Sequence, residues 1–324
     1  MKAIRVRQFG APDVMVVEDV PDPTPGDGEV LVKIHAAGVN PVETYVRAGT
    51  YASLPPLPFT PGVDAAGVVL RVGAGVTHVL PGARVYVTFG GQFGATGSYA
   101  EQMLSPASGV FPLPDRVSFA QGAAIGVPYS TAWRALHAKA HVQPGETVLV
   151  HGASGGTGLA AVQIARAAGL TVIGTAGTDA GRALVAEQGA HHALDHGRDG
   201  YRDEIKRVTN ERGPDVIVEM LANVNLQHDL AMIARHGRVV VIGSRGNVEI
   251  TPRHVMASEA TVTGFMMWNA PEHDLRRAHA GLAAGLSLGT LTPVIREELP
   301  LADAPRAHRW VMEPGAYGKI VLVP

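Results

Sequence analysis

The pattern of hydrophobic and polar positions changes near residue 144. Up to about residue 123, short apolar runs alternate with turns rich in glycine and proline, such as the one at residues 25–28. The strands expected from these runs are residues 30–35, 65–72, 83–88 and 98–103. Short strands at intervals of about 8–12 residues favour a β-rich barrel or sandwich. Residues 1–123 are therefore expected to form a domain of their own.

From residue 144 onward, buried-type strands and helical patterns alternate. Strands are expected at residues 147–151, 171–174, 215–219 and 238–243, and helices at residues 159–168, 180–188 and 225–234. This alternation predicts an α/β domain, residues 124–267, with a doubly wound parallel sheet. Residues 268–324 contain an expected helix at 275–284 and an expected strand at 319–323. We expect this last segment to return to the first domain.

The composition excludes several classes of protein. Of the 324 residues, 46% are hydrophobic and 17% are charged, which excludes a disordered chain and allows a large buried core. The formal net charge is -2, so no basic field draws the chain to nucleic acid or to an anionic membrane. The absence of cysteine excludes disulfides, thiolate nucleophiles, iron–sulfur clusters and cysteine-ligated zinc.

No targeting signal is evident in the sequence. The first residues interleave polar and apolar side chains and lack the apolar stretch of a signal peptide. No run of 18 apolar residues occurs, so no membrane span is expected. A chain without cysteine also fits a reducing compartment. These features favour a cytoplasmic protein without a membrane partner.

The sequence HGASGGTG at residues 151–158 is the most informative motif. It leaves an expected strand and enters an expected helix, and its glycines have the spacing G-x-x-G-x-x-G. Glycines in this context let the backbone approach a pyrophosphate, and the N–H groups of the helix N-terminus bind its charge. A glycine cluster alone is typical of an ordinary turn. Here the strand, the helix and the later strand–helix units all favour a bound dinucleotide.

The end of the second strand of this domain favours NADPH over NADH. Folds that bind NAD place Asp or Glu about 20 residues after the glycine turn, where it holds the ribose 2′-hydroxyl. Residues 173–178 are small and neutral, and Arg182, His196 and Arg245 are candidates to neutralise a 2′-phosphate. Taken singly, such arginines are also typical of a solvated surface. Asp179 leaves the alternative open, because a slightly longer strand would place an acid at the ribose.

No metal site is expected. The chain has 14 histidines, but few have the spacing of metal ligands. Without cysteine, a zinc site needs three histidines, or histidines combined with carboxylates. The histidines between residues 191 and 196 are assigned to a loop, and His273 and His279 to the polar face of a helix. Each histidine is therefore expected to be a surface or structural residue.

Hydrolase chemistry is not indicated, since no Gly-x-Ser-x-Gly sequence supplies a nucleophile. Tyr45, Tyr51 and Tyr129 are the aromatic candidates for a site, and all three are assigned to loops with proline and glycine. Half-buried packing accounts for most tyrosines in any fold. Their role therefore stays open on the basis of the residues alone.

Five segments taken together resemble one family. They are GVNPVETY (38–45), PGVDAAG (61–67), QGAAIGVPY (121–129), HGASGGTG (151–158) and EMLANVN (219–225). In this order they are similar to the zeta-crystallin type of NADPH:quinone oxidoreductase, which belongs to the medium-chain dehydrogenase/reductase superfamily. The resemblance covers nearly the whole chain.

The resemblance implies a GroES-like β-barrel domain and a Rossmann domain, with the active site in the cleft between them. Zinc-dependent relatives carry Cys where this chain has Asn40, and Gly-His-Glu where it has residues 62–64. Their structural zinc lobe of four cysteines is also absent, so a member of the superfamily that needs no metal is implied. Similar proteins are homodimers or homotetramers that pair an edge strand near residues 261–264.

The cofactor contacts of the family carry over to this chain position by position. Together with Gly158 and Arg182, the residues expected to bind NADPH are Tyr45, Ser154, Gly155, Gly156, Thr157, Gly177, His196, Asn225, Ile242, Gly243, Ser244, Arg245, Phe265, Met266 and Met267. Thr157 stands where valine is usual in the family. Residues 266–269 differ from the small polar residues of the family, so a reshaped substrate pocket is expected.

The reaction that the resemblance implies is the reduction of quinones by NADPH. The expected catalytic residues are Asn40, Tyr45, Tyr51 and Tyr129. Asn40 or Tyr45 would hydrogen-bond the quinone oxygen until water protonates it. An alternative within the superfamily is the reduction of α,β-unsaturated ketones or aldehydes. An alternative of another class is an RNA-binding or structural protein, which 5% aromatic residues and a net charge of -2 disfavour.

Overall fold

The structure, a computed structural model, describes residues 1–88 and 96–324. The described residues form two compact units. Unit 1 contains residues within Met1–Val127, His279–Glu313 and Gly318–Pro324, and unit 2 contains Pro128–Ala278 and Pro314–Tyr317. Among the helices of the described part, none combines the length and the apolar character that crossing a bilayer requires.

Both units contain strands and helices. The strands, in chain order, are β1 (Lys2–Val6), β2 (Met15–Asp19), β3 (Glu29–Gly38), β4 (Asp64–Val72), β5 (Arg84–Val87), β6 (Gln102–Pro106), β7 (Val110–Pro112), β8 (Thr147–Val150), β9 (Thr171–Thr175), β10 (His192–Leu194), β11 (Val216–Glu219), β12 (Arg238–Val241), β13 (Thr261–Gly264), β14 (Ile295–Pro300) and β15 (Lys319–Val323).

The α-helices are α1 (Pro41–Ala48), α2 (Phe119–Gly122), α3 (Gly126–Trp133), α4 (Gly156–Ala167), α5 (Asp179–Glu187), α6 (Tyr201–Val208), α7 (Ala222–Met232), α8 (Pro252–Ser258), α9 (Glu272–Leu288) and α10 (Ala304–Trp310). A π-helical segment, Arg134–Lys139, follows α3. Short 3₁₀ turns lie at Pro12–Val14, Ala107–Gly109, Met267–Asn269 and Leu301–Asp303.

Unit 2 is built on a parallel sheet with the strand order β10-β9-β8-β11-β12-β13. Parallel neighbours need crossover connections, and α4 to α8 supply them between successive strands. From β8 the chain adds β9 and β10 on one side, and then β11, β12 and β13 on the other. The switch point of the sheet therefore lies between β8 and β11. Ligands of such sheets bind beyond the carboxyl ends of the strands at this point. The predicted doubly wound parallel sheet is confirmed.

A continuous apolar layer explains why these segments form the sheet of unit 2. Ile173, Leu149, Ile217 and Val239 are register neighbours on four adjacent strands, and all are fully buried. Ile205 of α6 packs into the same cluster. Complete burial of one such side chain contributes about 1.5–3 kcal/mol. The run of apolar residues in each strand therefore stabilises a sheet that is covered by helices.

Unit 1 is built on a sheet with the order β14-β15-β3-β4-β5-β7, in which β6 also pairs with β3. Its pairs are antiparallel except for β14 with β15. The strands β1 and β2 form a separate antiparallel pair. The long strand β3 pairs with β6 through its first residues and with β15 through its last. Two register shifts between β3 and β4 bend the strand.

Most predicted strands are confirmed, but the strand at residues 98–103 is displaced. The observed strand β6 begins only at Gln102. The reason lies in the backbone before it, where the amides of Ser98 and Tyr99 donate to the carbonyl groups of the Pro61-Gly62 segment. These tertiary hydrogen bonds hold the chain outside the ladder with β3.

The helices differ from the prediction in their ends, and several elements were not predicted. The predicted helix at residues 159–168 begins earlier, at Gly156, because the last glycines of the turn already belong to it. The helix α6 and the strand β10 were not predicted. Tyr201, Ile205 and Val208 of α6 have the i, i+4, i+7 spacing of an amphipathic helix, so the pattern of this helix was overlooked, whereas β10 spans only three residues. His192, expected in a loop, lies in β10.

Three residue placements were predicted wrongly. Tyr45 lies in α1 and Tyr129 in α3, and neither lies in a loop. His279 was expected on the polar face of a helix, but it is 4% exposed. Its ring stacks on Phe111 with 3.6 Å between centroids, and its Nδ1 lies 2.8 Å from the hydroxyl oxygen of Tyr86. Aromatic neighbours far away in sequence bury this polar side chain.

Candidate functional site

The glycine turn of unit 2 links β8 to α4. Gly155 is the extended N-cap of α4, and no side chain caps the first turn of this helix. Gly152 has a φ of 57°, which is the left-handed region that favours glycine. A Cβ atom on Gly158 would collide with the carbonyl oxygen of Gly152 and with Ala153. The helix and the turn are therefore in a close contact that glycine allows, as a pyrophosphate-binding turn requires.

The predicted pyrophosphate residues are all brought together in this turn. Ser154 and Gly158 are buried, and the three residues between them are half-buried. The uncapped amides at the start of α4 and the dipole of this 12-residue helix favour an anion. The turn therefore fits the phosphates of a dinucleotide.

The candidates for the adenosine end lie after β9. A Cβ atom on Gly177 would lie 2.9 Å from Nε2 of His196, so the glycine makes room for this ring. Nδ1 of His196 lies 3.4 Å from the hydroxyl oxygen of Thr175. Burial lowers the pKa of His196, which keeps its imidazole neutral at neutral pH. The structure thus brings Gly177 and His196 together, as predicted.

Arg182 is paired with two carboxylates. Its Nη1 lies 3.0 Å from Oδ2 of Asp195, and its Nη2 contacts Asp179. Asp195 was not predicted, since it follows a three-residue strand that the sequence did not reveal. Asp179 is the first residue of α5, whereas β9 ends at Thr175. The end of β9 is therefore neutral, as expected.

The segments after β11 and β12 are joined by hydrogen bonds. Nδ2 of Asn225 donates to the carboxylate that ends β11, at 3.3 Å. The backbone amide of Ala222 donates to the carbonyl of Gly243 at 3.0 Å. Ala222 lies in the turn 220–225, which leads from β11 into the first residues of α7. The amide of Arg245 donates to Oδ1 of Asn223 at 2.8 Å. The candidates Ile242, Gly243, Ser244 and Arg245 therefore lie in a segment that this turn fixes.

Arg134 organises the segment that contains Phe265, Met266 and Met267. Its side chain is 6% exposed, and its guanidinium carbon lies 4.8 Å from the centre of the Phe265 ring. Its Nη1 donates to the carbonyl of Met266 at 3.0 Å, and its Nε lies 3.5 Å from Asp274. The role of Arg134 could not be predicted from local patterns, because its partners lie more than a hundred residues later.

The three candidate tyrosines differ in their surroundings. Tyr129 is 2% exposed, and its hydroxyl donates to Oε1 of Gln163 at 2.8 Å, so it joins α3 to α4. Burial raises the pKa of Tyr129 far above its usual value, and raises that of Tyr51 to about 12. Tyr45 is half-buried on α1. Neither Tyr51 nor Tyr129 has the lowered pKa that would favour a general acid.

Asn40 is the N-cap of α1 and is 2% exposed. Its Nδ2 donates to Oε1 of Glu43 at 3.2 Å and to Oδ2 of Asp64 at 3.0 Å. Its Oδ1 accepts a hydrogen bond from the ammonium group of Lys319. The two amide protons are thus already used inside unit 1. No proton of this side chain is left for a substrate oxygen, which argues against the predicted catalytic role and for a positioning role.

Further hydrogen bonds complete this buried network. The ammonium nitrogen of Lys319 lies 3.6 Å from Oδ2 of Asp64, which also accepts from the amide of Val127. Glu43 accepts from the hydroxyl of Tyr99 at 2.7 Å. Burial raises the pKa of Glu43 to about 6, raises that of Asp64 and lowers that of Lys319. The attraction between the ammonium and the carboxylates opposes all three shifts.

The network contains Asn40 and Asp64, two of the positions at which the resemblance implies the metal ligands of zinc-dependent relatives. Val63, which replaces their histidine, offers no ligand atom, and Asn40 replaces their cysteine. The cation beside Asp64 is the ammonium group of Lys319. These residues do not fit a zinc ion.

Two family models match the chain. Residues 26–115 match the alcohol dehydrogenase GroES-like domain, and residues 156–284 match the model described as zinc-binding dehydrogenase. The first match confirms the expected GroES-like domain.

Proteins of similar sequence and structure cover the whole chain. A human protein named quinone oxidoreductase is 47% identical over 325 residues, which are 100% of this chain and 98% of that protein. A mycobacterial structure complexed with NADPH is 31% identical with a TM-score of 0.90, and 100% of each chain is covered. An Escherichia coli quinone oxidoreductase complexed with NADPH is 27% identical with a TM-score of 0.88, again covering 100% of both chains.

Proposed function

The chain belongs to the quinone oxidoreductases of the medium-chain dehydrogenase/reductase superfamily, and we propose that it reduces quinones with NADPH and without a metal ion. The observation that carries this proposal is the glycine turn at the switch point of the parallel sheet, where a Cβ atom on Gly158 would collide with the backbone of Gly152 and Ala153. NADPH, when bound, supplies the hydride. The residues of the chain bind the cofactor, orient the quinone and exclude water.

The cofactor is held along the carboxyl ends of the strands of unit 2. The turn from Ser154 to Gly158 binds the pyrophosphate, since its amides are uncapped. Gly177 and His196 hold the adenosine end, with Arg182 beside them. The nicotinamide side is held by Asn225, Ile242, Gly243, Ser244 and Arg245, and by Phe265, Met266 and Met267.

The quinone needs no strong acid from the protein. The aromatic ring that forms stabilises the negative charge on the reduced oxygen until water protonates it. Tyr45 and Tyr51 therefore act by packing and hydrogen bonding, while Asn40 fixes the first turn of α1 that carries Tyr45. Tyr129 acts inside unit 2, where its hydroxyl is committed to Gln163 and joins α3 to α4.

We also propose that the protein acts in the cytoplasm as a homodimer or homotetramer. The strand β13 is the last strand of its sheet and pairs with β12. Val262 on this strand is 41% exposed and Met256 on α8 is 74% exposed. An unpaired edge with exposed apolar side chains favours association with a second copy.

Steady-state kinetics with two classes of acceptor test the proposed reaction. With NADPH as donor, we expect kcat/KM for 1,4-naphthoquinone to exceed that for an α,β-unsaturated ketone by at least about 10-fold. Gly158→Val should abolish both activities by closing the turn. Gly26→Ala is the control, because its new Cβ meets the flexible Glu29 side chain at 3.3 Å.

A higher kcat/KM for the unsaturated ketone would replace this proposal by the enone reductase. Failure to reduce either acceptor, combined with salt-dependent binding of RNA in a gel shift, would indicate the nucleic-acid-binding alternative.

NADPH is expected to bind at least about 10-fold more tightly than NADH, a difference of about 1.4 kcal/mol. The physical reason is the neutral end of β9, with Arg182 and His196 close to it. Because Asp179 and Asp195 already share the guanidinium group, Asp179→Asn should widen this preference. Calorimetric titration of both cofactors measures it, with the exposed Asp203→Asn as the control.

Equal affinities of the unmodified protein for the two cofactors would contradict this expectation. They would indicate that a carboxylate at this end of the sheet holds the ribose hydroxyl groups instead.

The Tyr45 hydroxyl is expected to be dispensable. An obligatory general acid would cost about 10²–10⁴ in rate when removed. We expect Tyr45→Phe to lower kcat/KM by less than about 10-fold, because water can protonate the product, and Tyr45→Ala to raise KM further, because the ring is lost. Tyr201→Phe on α6 serves as the control.

Both kcat/KM and Tm are measured for these variants. A collapse of kcat in Tyr45→Phe at unchanged Tm would make Tyr45 the acid. A loss of Tm at intact kcat/KM would reduce its role to packing in unit 1.

A further inference from the structure

Three buried ionisable side chains meet at the carboxyl ends of β8 and β11 in unit 2. His151 follows β8 and directly precedes the glycine turn, Glu219 is the last residue of β11, and Asp229 lies on α7. They are 3%, 0% and 0% exposed. Nε2 of His151 lies 2.8 Å from Oδ1 of Asp229 and 3.5 Å from Oε2 of Glu219. None of these three groups has a role in the proposed quinone reduction.

Glu219 connects this cluster to the residues that hold the cofactor. Its Oε1 accepts hydrogen bonds from the amide of Leu221 and, at 3.3 Å, from the side chain of Asn225. The amide of Ile242 donates to its backbone carbonyl at 2.9 Å. The turn that Glu219 anchors is the one that fixes Gly243 and Arg245. The position of the nicotinamide-side residues therefore depends on this carboxylate.

The other oxygens of the two carboxyl groups are left over. Within the described residues, Oε2 of Glu219 and Oδ2 of Asp229 have no hydrogen-bond partner. One ring nitrogen of His151 and one carboxylate oxygen each of Glu219 and Asp229 lie within 4.8 Å of one another. Two ionised carboxylates this close in a dry interior would repel each other strongly. A single proton held by the pair of carboxyl groups removes this repulsion.

The charges around the cluster support one shared proton. Burial lowers the pKa of His151, so its imidazole is neutral, and the neighbouring His196 also has a pKa lowered by burial. The positive charge of Arg202 on α6 lowers the pKa of both His151 and Asp229. With Arg202 charged, a carboxyl pair that holds one proton makes the group electrically neutral. Loss of that proton leaves one net negative charge beside the turn that receives the phosphates.

We propose that His151, Glu219 and Asp229 form a positioning cluster for the cofactor, in which the two carboxyl groups share one proton and Glu219 anchors the turn that carries Asn225. This inference rests on the proposed function, because it concerns the NADPH site. It adds a dependence of cofactor affinity on pH that the glycine turn alone does not produce.

The direction of this dependence follows from the pair. Burial raises the pKa of Glu219 to about 7 and that of Asp229 to about 7, and the two groups titrate as one unit. Coupled groups lose their protons in two steps, so the pair gives up the shared proton in the upper step, as the pH rises through and above 7. Anionic phosphates favour the protonated pair, so that binding takes up part of a proton. The Kd for NADPH consequently rises as the pH increases through 7.

Titration of the protein with NADPH, followed by cofactor fluorescence without quinone, measures this effect. We expect Kd to rise about 5- to 10-fold from about pH 6.5 to about pH 8.5. Asp229→Asn should flatten the profile to less than about 2-fold, because removal of this acid lowers the pKa of Glu219. All variants use the same cofactor, so its own phosphate ionisation cancels. Glu204→Gln, an exposed acid of α6 paired with Arg207, should keep the full profile.

Two substitutions of Glu219 separate the anchor from the proton. Glu219→Gln keeps an oxygen for the Leu221 amide, so it should flatten the pH profile while KM for NADPH at neutral pH changes little. Glu219→Ala removes the anchor and should raise KM for NADPH at least about 10-fold at every pH, while kcat with saturating cofactor is largely kept. A purely structural role would lower Tm in both variants and leave the pH profile unchanged.

Unchanged pH dependence in both Asp229→Asn and Glu219→Gln would overturn the proposal. Binding of one Zn²⁺ or Mn²⁺ per chain that Asp229→Asn abolishes would also overturn it, because the cluster would then be a metal site. The proposed function fails in a different way. A protein that binds NADPH with the expected pH profile but reduces no quinone contradicts the reaction and leaves the cluster intact.

Discussion

The buried ammonium group of Lys319 holds together the part of unit 1 that contains Asn40 and the start of α1. It contacts Asn40 and Asp64, which come from the start of α1 and the start of β4. Lys319 begins β15, and the carbonyl of its neighbour Ile320 accepts from the amide of Val39. The C-terminal strand therefore has to pair with β3 before these charges can be compensated. Without the ammonium group, buried carboxylates would remain unpaired at a cost of about 3–5 kcal/mol.

The same constraint governs unit 2, where two carboxyl groups and an imidazole are buried at the carboxyl ends of the strands. In unit 1 a lysine supplies the compensating charge, and in unit 2 a shared proton does so. Both solutions use the chain's own groups to compensate buried carboxylates. This is chemically compatible with quinone reduction, because the ring of the product stabilises its own oxygen. The protein then has to position the two reactants and exclude water.

Local chemistry explains what could be predicted from the sequence. The glycines from Gly152 to Gly158, the neutral residues after β9 and the apolar strands all act through neighbours within a few residues, so their pattern is visible along the chain. The parallel sheet and the pyrophosphate turn followed from these patterns. The resemblance of five segments added the family and the individual cofactor positions.

Contacts between distant segments explain what could not be predicted. His151 and Asp229 are 78 residues apart, and Arg134 reaches a carbonyl group 132 residues later. Asp195 became a partner of Arg182 through a strand of three residues that carries almost no pattern. Asn40 was expected to donate a hydrogen bond to the substrate, but its amide group is engaged by Glu43, Asp64 and Lys319. Such partners depend on the topology, which single-residue chemistry does not reveal.

Lys319 in unit 1 and the shared proton in unit 2 compensate the buried carboxylates, so that the protein needs no metal ion. Elemental analysis of the protein purified from zinc-supplemented cells, with quinone reduction assayed before and after a chelator, tests this claim most directly. The account predicts far less than one zinc ion per chain and a kcat/KM that the chelator leaves unchanged. About one bound zinc ion per chain, whose removal abolishes quinone reduction, would contradict it.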